Sequence, residues 1–403
     1  MKIHMVTETE QRGTYATFLI TFLRLKSLGF DVKMHTLFNS EFDVLEPPSK
    51  SSIFGEETVM NSEGFSLKTL DRIKLEPRNS IVHIGNAWHG LIPIAEKMGA
   101  KTVINIQYWW PICYFNSMSD SKCDCQSYFK IAGCIRRKKG GIKGIASLAE
   151  AEYAKRKLKA IRENVSQASA IIAVSKVVKN ELIKRGFPEE KIRVVEVNAL
   201  TLAIKYSQPR HHKFFTYAYL SYPDREKGIF QLLTAFTIAL KKNPNIRLKI
   251  PGGLDSKEVV KEVHRLGINK QVMLSKRVPY SEYMGSLGEM LSDVDFVVVP
   301  SLYLDTWGRV VIESMMAGRP TIVTQGNGGL VEQVEDGVDG FHVNTYDVNA
   351  FGEFLYKTSM MNSEDVMKMG VKARNNMLRK FNNDNIMNRL IAIYREIGEN
   401  GTQ

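Results

Sequence analysis

Residues 300–329, together with the four apolar residues before them, constrain the fold more than any other part of the chain. The stretch reads PSLYLDTWGRVVIESMMAGRPTIVTQGNGG. The apolar run at 296–299 predicts a short buried strand, residues 310–317 carry apolar side chains at helical spacing, and residues 321–324 predict a second buried strand. A strand, a helix and a strand in succession are typical of α/β folds with parallel sheets.

Two acidic residues, Asp305 and Glu313, lie in this stretch with Gly308 between them. Asp305 precedes the predicted helix and Glu313 lies near its start, so both can face one crevice at the carboxyl ends of the strands. Open α/β sheets bind their ligands at that edge. The two carboxylates therefore predict a ligand site.

A glycine-rich turn follows the second strand, at Gly326, Gly328 and Gly329. Glycines allow the backbone to approach a ligand closely. A helix predicted over 330–335 would add the N–H groups and the positive dipole end that favour an anion. This turn predicts a phosphate-bearing ligand.

At this point the stretch resembles the retaining glycosyltransferases of family 4, which have the GT-B architecture. Their signature is a Glu, seven residues and a second Glu, and here Asp305 and Glu313 occupy that spacing. The flanking pieces that also match are Pro300-Ser301, Gly308, Met316-Ala317-x-Arg-Pro and Gly328-Gly329-x-x-Glu332. Asp305 is one methylene shorter than the usual Glu, and Trp307 stands where Phe is common.

The resemblance covers nearly the whole chain and implies two Rossmann-like α/β domains that face each other across a cleft. It implies an acceptor-side domain over 1–205, a nucleotide-sugar-binding domain over 206–384, and a C-terminal helix over 385–403 that packs back on the first domain. The implied reaction moves a sugar from a nucleotide diphosphate sugar to a glycan or lipid-linked acceptor with retention of anomeric configuration. No cofactor is required for catalysis in this class.

The resemblance also implies catalytic roles. Lys227 and Arg225 precede a predicted helix and would neutralise the departing diphosphate together with the amides of 326–329. Glu313 would accept hydrogen bonds from the ribose, and Asp305 would hold hydroxyls of the sugar. An exposed loop is the alternative explanation for the two basic residues.

Further donor-binding residues are carried over by position. They are Gly13, Gln107, Arg277, Val278, Gly308, Arg309, Val310, Gly326, Gly328 and Gly329. Gln107 stands where the family usually has a His. It can hydrogen-bond a hydroxyl but cannot act as a base, and it can equally be a polar residue that ends a strand.

Three departures favour a second hypothesis. Gln107, Asp305 and Tyr222, which lies near the position of a family Arg, each replace an expected side chain. A non-catalytic GT-B module that binds sugar nucleotide or glycan, or that supports an active transferase, would also show these changes.

The basic residues are concentrated in one segment. The chain has 403 residues and a formal charge of +12, and residues 136–163 hold ten basic and three acidic residues. Such a segment can attract anionic lipid at about 1 kcal/mol per basic residue, or be a solvated helix face. We do not expect nucleic acid as the partner, because neither interleaved aromatic residues nor a known motif accompanies the charge.

The chain shows neither a membrane span nor a signal peptide. No run approaches the ~20 apolar residues that a span needs, and the opening MKIHMV predicts a first strand. We therefore expect a cytoplasmic protein, with the basic segment able to hold it at the membrane surface.

All four cysteines, Cys113, Cys123, Cys125 and Cys134, lie within 22 residues. Clustered thiolates on loops predict a tetrahedral structural zinc site. The spacing lacks the paired C-x-x-C of common zinc sites, so disulfides and thiols without metal stay open. Four thiolate ligands would leave no open position for catalysis.

Overall fold

A computed structural model describes residues 1–7, 13–36, 43–44, 61–85, 88–118, 125, 127–139, 145–196, 204–207 and 213–399. The chain divides by its internal contacts into two compact units. Unit 1 is Met1–Asn198 with Asn383–Gln403, and unit 2 is Ala199–Asn382. Within the described residues, each unit is built on one parallel sheet flanked by helices, and the strands and helices given below are those of the described residues.

Unit 1 has a seven-stranded sheet. Its strands are β1 (Lys2–Thr7), β2 (Val32–Thr36), β3 (Asp43–Val44), β4 (Ser80–Ile84), β5 (Lys101–Ile106), β6 (Ala170–Ala173) and β7 (Ile192–Val194). They pair in parallel in the order β3-β2-β1-β4-β5-β6-β7. Its helices are α1 (Gly13–Ser27), α2 (Glu63–Arg72), α3 (Leu91–Lys97), α4 (Tyr128–Lys139), α5 (Ile145–Gln167), α6 (Lys176–Lys184) and the C-terminal helix (Asn383–Glu399).

Unit 2 has a six-stranded sheet. Its strands are β8 (Phe215–Ala218), β9 (Ile246–Pro251), β10 (Val272–Ser275), β11 (Phe296–Val299), β12 (Thr321–Thr324) and β13 (Gly340–Val343). They pair in parallel in the order β10-β9-β8-β11-β12-β13. Its helices are α7 (Ile229–Lys242), α8 (Lys257–Arg265), α9 (Tyr280–Met290), α10 (Arg309–Met316), α11 (Gly328–Gln333), α12 (Val348–Thr358) and α13 (Ser363–Lys380).

The unit 2 core explains why these segments form these elements. β11 and β12 read FVVV and TIVT and are buried along their whole length, as expected for a parallel sheet covered on both faces. On α7, residues at three- and four-residue spacing such as Ile229, Leu232, Leu233 and Phe236 are fully buried. The strands place their carboxyl ends, and the loops that follow them, at one edge of the sheet.

The C-terminal helix belongs to unit 1 by its contacts. Its Tyr394 is fully buried, and the hydroxyl lies 2.5 Å from Nδ1 of His83 on β4. Nearer the surface, Glu396 of this helix pairs with Arg193 at 2.5 Å. The helix therefore closes the core of unit 1.

Several elements predicted from sequence are confirmed. The first strand expected at the opening MKIHMV is β1, and the strands expected over 296–299 and 321–324 coincide with β11 and β12. The helix predicted over 330–335 begins earlier, at Gly328, because Asn327 and Gly329 bind the preceding loop.

The structure describes three of the four clustered cysteines. Cys113 and Cys125 are buried, Cys134 on α4 is half-buried, and Cys123 lies outside the described residues. Among the residues that the structure describes, no three His, Cys, Asp or Glu side chains are grouped to hold a metal ion. The zinc site stays a prediction.

The helices of the described ranges were compared with what a transmembrane helix requires. None of them combines the length and the apolar character needed to cross a bilayer.

Candidate functional site

The candidate site lies on three loops of unit 2. β11 pairs in parallel with β8 on one side and β12 on the other. The loops that follow these three strands therefore start at the same edge of the sheet. This is the edge at which open α/β sheets bind ligands.

The loop after β8 is shaped by its own hydrogen bonds. The Tyr219 hydroxyl donates to the Tyr222 carbonyl at 2.7 Å, and burial raises the pKa of Tyr219 well above its usual value, so the hydroxyl stays a donor. The Asp224 side chain accepts from the Glu226 amide at 2.9 Å and starts a short 3₁₀ turn, Arg225–Lys227. This turn carries two of the predicted catalytic residues.

Gly228 joins this loop to the loop after β11. Its φ is +74°, in the left-handed region, and a Cβ atom there would lie 1.9 Å from the Pro300 carbonyl oxygen. The Leu302 amide also donates to the Glu226 carbonyl at 2.9 Å. The two loops are thereby held in backbone contact, which fixes the position of Lys227.

We expect this close approach to tolerate no side chain at Gly228. Gly228→Ala adds the left-handed strain and a backbone clash, and should lower the free energy of unfolding by about 3 kcal/mol or more. Gly267→Ala is the matched control in unit 2, since its φ is +68° but nothing lies within 4 Å of the added carbon. That variant should lose only about 1 kcal/mol. Equal losses in urea unfolding would show that strain alone, and not the contact with Pro300, makes the glycine necessary.

Lys227 and Asp305 form the centre of the site. The Lys227 Nζ lies 3.1 and 3.3 Å from the two Asp305 carboxylate oxygens and also donates to the Tyr303 hydroxyl. The Tyr303 hydroxyl donates to Asp305 Oδ1 at 2.8 Å, and its ring lies beneath the ammonium, 4.3 Å from centroid to Nζ. The Asp305 side chain is 7% exposed and that of Lys227 is 27% exposed.

This arrangement leaves bonding capacity for a ligand. The Lys227 ammonium donates to Tyr303 and to both Asp305 oxygens, and a carboxylate can accept about four hydrogen bonds. Lys227 therefore offers an anion its positive charge, and Asp305 has lone pairs for hydroxyl groups. The cluster is suited to a ligand that carries both phosphate and sugar.

Asn327 holds the third loop against the second. Its Nδ2 donates to the carbonyls of Ser301 at 2.6 Å and Tyr303 at 2.7 Å, and its Oδ1 accepts from the Asp305 amide at 2.8 Å. The side chain is buried, so these bonds form away from water. One side chain thus fixes the backbone on both sides of the cluster.

The glycine turn at 326–329 packs its backbone closely against the loop that follows β11. The Gly329 amide donates to the Asp305 carbonyl at 2.8 Å and the Gly328 amide to the Gly326 carbonyl at 3.2 Å. A Cβ at Gly328 would lie 2.3 Å from Asp305 O, and one at Gly329 2.2 Å from Thr306 O. The predicted role of these two amides as diphosphate donors is therefore in conflict with the bonds that they make here.

The start of α10 offers backbone donors nearby. The Gly308 amide donates to the Gln333 side chain at 3.0 Å, which in turn donates to the Gly308 carbonyl at 3.1 Å. The next residues, Arg309 and Val310, are half-buried and form the first turn, where helical N–H groups have no acceptor within the helix. This turn favours negative charge.

Glu313 lies on the same helix. It is buried, and its Oε2 accepts a hydrogen bond from the Tyr283 hydroxyl of α9 at 3.1 Å. A buried carboxylate beside a helix start can accept hydrogen bonds from ribose hydroxyls, as predicted for this position.

Two predicted basic residues lie apart from the cluster. Arg225 pairs with Glu258 of α8 at 2.9 Å, and both side chains are mostly exposed. The Arg277 guanidinium lies over the Tyr222 ring, 4.8 Å from its centroid, and its amide donates to Asp255 at 3.0 Å. Val278 follows Arg277 and is half-buried. The structure joins Lys227, but not Arg225, to Asp305.

Gly13 and Gln107 belong to unit 1. Gly13 is the first residue of α1, and Gln107 follows β5, is buried, and lines a small cavity with Asn105 and His83. The His83 Nε2 lies 3.1 Å from Asn105 Oδ1, and burial lowers the pKa of His83 to about 4. His83 is therefore neutral at neutral pH, and the charged side chain of the cavity lining is Glu196.

Sequence reasoning missed Tyr303, Asn327 and Tyr283. Each is a polar side chain that touches a predicted residue or its backbone. The position of Asn327 inside the glycine turn was the one available signal, because Asn side chains commonly bond to nearby backbone in turns.

Comparison with known proteins gives a family match over the part of the chain that holds this site. Residues 204–376 match the family described as glycosyl transferases group 1. The capsular polysaccharide biosynthesis glycosyltransferase CapM of Staphylococcus aureus is 26% identical over 245 residues, which cover 56% of this chain and 61% of that protein. The chain spans about 60% of the length of the first curated relatives that it matches. The matched segment contains Lys227, Asp305 and Glu313.

Solved structures show the fold. The HepE protein of Anabaena, crystallised with UDP, has a TM-score of 0.71 at 14% identity, covering 98% of this chain and 100% of that one. Sucrose-phosphate synthase of Thermosynechococcus elongatus has a TM-score of 0.70 at 16% identity, covering 98% of each chain. The predicted fold class, α/β with two Rossmann-like domains of the GT-B type, is confirmed.

Proposed function

We propose that the protein is a glycosyltransferase that moves a sugar from a nucleotide diphosphate sugar to a glycan or lipid-linked acceptor with retention of anomeric configuration. The Lys227–Tyr303–Asp305 cluster at the carboxyl ends of β8 and β11 carries this proposal. The match of residues 204–376 to group 1 glycosyl transferases supports it. UDP is the first nucleotide to test, since the related Anabaena protein was crystallised with it.

In this proposal Lys227 neutralises the charge that develops on the departing diphosphate. The first turn of α10 adds backbone donors on the same side of the sheet. The lysine supplies a fixed positive charge at the leaving group, so we assign no divalent cation or other cofactor to the step.

Asp305 is assigned to the sugar. It already accepts hydrogen bonds from Lys227 and Tyr303, which fix its orientation. A fixed carboxylate can accept from two sugar hydroxyls and position the anomeric carbon. We therefore assign it to binding rather than to covalent attack, with the leaving phosphate as the base, and Glu313 to the ribose.

The test is calorimetric titration of the purified chain with UDP, GDP and ADP. We expect one nucleoside diphosphate to bind, and Glu313→Gln to weaken that binding about tenfold or more, because a charge-assisted hydrogen bond is lost. Glu289→Gln, an exposed carboxylate on α9, is the matched control and should bind as the wild type does.

The outcomes are distinct. A folded protein that binds none of the three nucleotides would contradict the proposal. Nucleotide binding without release of UDP from any UDP-sugar would instead favour the non-catalytic module. If transfer occurs, proton NMR of the product anomer decides between retention and inversion.

A further inference from the structure

Unit 1 contains a cavity that the transfer site does not use. Its volume is about 510 Å³. One wall is the middle of α5, and the rest is formed by residues that follow α6, by Pro111 and Ile112 after β5, and by Cys125. The cavity is large enough for a group well beyond a single ion.

The cavity lining is strongly basic. Positions 152, 155, 156, 159 and 162 of α5 repeat at three- and four-residue spacing, so their side chains share one face of the helix. The charged residues of the lining are Lys155, Arg156, Lys159, Arg162, Arg185 and Glu152. Five cations against one carboxylate predict an anionic ligand.

Internal ion pairs leave much of this charge unbalanced. Arg156 pairs with Glu152 at 2.7 Å and Lys159 with Glu163 at 3.7 Å, but these are exposed pairs, which attract weakly. Among the residues that the structure describes, none accepts a hydrogen bond or ion pair from Lys155. This lysine can therefore bind an external anion without breaking an existing contact.

Two arginines fix the shape of the cavity. Arg162 of α5 donates to the Arg185 carbonyl at 3.2 Å, which ties the two walls together. The Arg185 guanidinium donates to the Glu181 carbonyl at 3.2 Å and pairs with its carboxylate. The cavity walls are thus held by side chains that also carry its charge.

The lining is apolar as well as basic. Ile112 and Phe187 are buried within it, and Leu158 of α5 is half-buried. A rim of cations over an apolar wall suits a ligand with a charged head and an apolar body. Arginine and lysine together favour phosphate, because guanidinium binds it in bidentate fashion and ammonium adds a point charge.

We propose that this cavity binds a phosphoryl or pyrophosphoryl headgroup attached to an apolar body. Of the basic segment predicted from sequence, one face of α5 lines the cavity, whereas residues 136–139 of α4 do not. The binding does not require the transfer reaction, because every lining residue belongs to unit 1.

The test compares two charge reversals in the same basic segment. Lys155→Glu alters the cavity, whereas Arg137→Glu changes the charge equally on exposed α4, outside the lining. Both are made in a Lys227→Met background, which removes the Lys227 charge from the unit 2 site. The titration then reports pyrophosphate binding to the unit 1 cavity. Binding is measured by calorimetry with pyrophosphate, and by flotation with phosphatidylcholine vesicles with and without phosphatidylglycerol.

We expect Lys155→Glu to weaken binding about tenfold or more, and Arg137→Glu to change it by less than about twofold. Loss of pyrophosphate binding in Lys155→Glu alone would identify a soluble phosphate ligand. Selective loss of vesicle binding would identify a lipid headgroup. Equal effects of the two variants, or no binding by the Lys227→Met parent, would overturn the proposal. Lys155→Gln replaces Lys155→Glu if the latter does not show the parent's thermal unfolding.

Discussion

Lys227→Met is expected to lower the rate of UDP release from a UDP-sugar by about a hundredfold to a thousandfold, because a fixed cation at the leaving group is lost. The ammonium lies 3.1 Å from Asp305 and bonds to Tyr303, so its removal also leaves Asp305 without its counter-charge. Methionine has a similar length but neither the charge nor the N–H donors, so the substitution removes the ion pair and its hydrogen bonds with little change in volume.

Arg225→Met is the comparison that the structure offers. Arg225 lies two residues away in the same turn, but it pairs with Glu258 on the surface. Exposed pairs of this kind contribute little, so the rate should fall by less than about threefold. Equal losses in the two variants would show that the turn as a whole, and not the Lys227–Asp305 pair, supports the reaction.

Acid is expected to destabilise unit 1 through the protonation of buried histidines. His4, His83 and His89 are buried, and burial lowers the pKa of each to about 4 from an ordinary value of 6.5. Between pH 6.5 and 4 these three histidines are protonated in the unfolded chain but remain neutral in the folded chain. Stability therefore rises with pH in this window and is lost as the pH falls.

The expected change in the free energy of unfolding with pH follows from the linkage between proton binding and folding. Each histidine contributes about 1.4 kcal/mol per pH unit inside the window, and three together roughly 4 kcal/mol per pH unit. The loss reaches about 6 kcal/mol at pH 5. A typical domain has about 5–15 kcal/mol of stability, so unfolding is expected near pH 5 if unit 1 lies toward the lower end of that range and at lower pH otherwise. Tryptophan fluorescence reports on it, because Trp88, Trp109 and Trp110 lie in unit 1.

His83→Gln tests the cause. Glutamine can keep a donor toward Asn105 and an acceptor toward Tyr394, the two partners of His83, but it does not titrate. The pH dependence of the unfolding free energy should fall by about one third in this variant. His264→Gln, at an exposed position on α8, should leave it unchanged. An unaltered slope in His83→Gln would assign the acid sensitivity to other groups.

The two central strands β11 and β12 of unit 2 were predictable because they are short and largely apolar. β11 and β12 are buried on both faces, and their sequences show it directly. The family resemblance implied that Lys227 and Asp305 share one site, and the structure places both after strands of one parallel sheet.

The contacts within the site were not predictable. Tyr303 bonds to both Lys227 and Asp305 only because Gly228 and Pro300 bring two loops into backbone contact. Arg225 and Lys227 look equivalent in sequence, yet a short 3₁₀ turn sends them to different partners. Such divergence depends on loop dihedrals, and a single sequence does not fix those.

The side chain of Asn327 also affects how fast the protein loses activity through deamidation. Asn-Gly is the dipeptide most prone to deamidation, in which the following amide nitrogen attacks the side-chain carbonyl, ammonia leaves, and water opens the ring to Asp or isoaspartate. In the folded chain Asn327 is held by three hydrogen bonds, and the Gly328 amide donates to Gly326. Each unfolding event releases both groups, and an Asp at 327 would then set a carboxylate against the carbonyls of Ser301 and Tyr303. Molecules damaged while unfolded would lose the site for good, so the lifetime of activity is tied to the rate of unfolding.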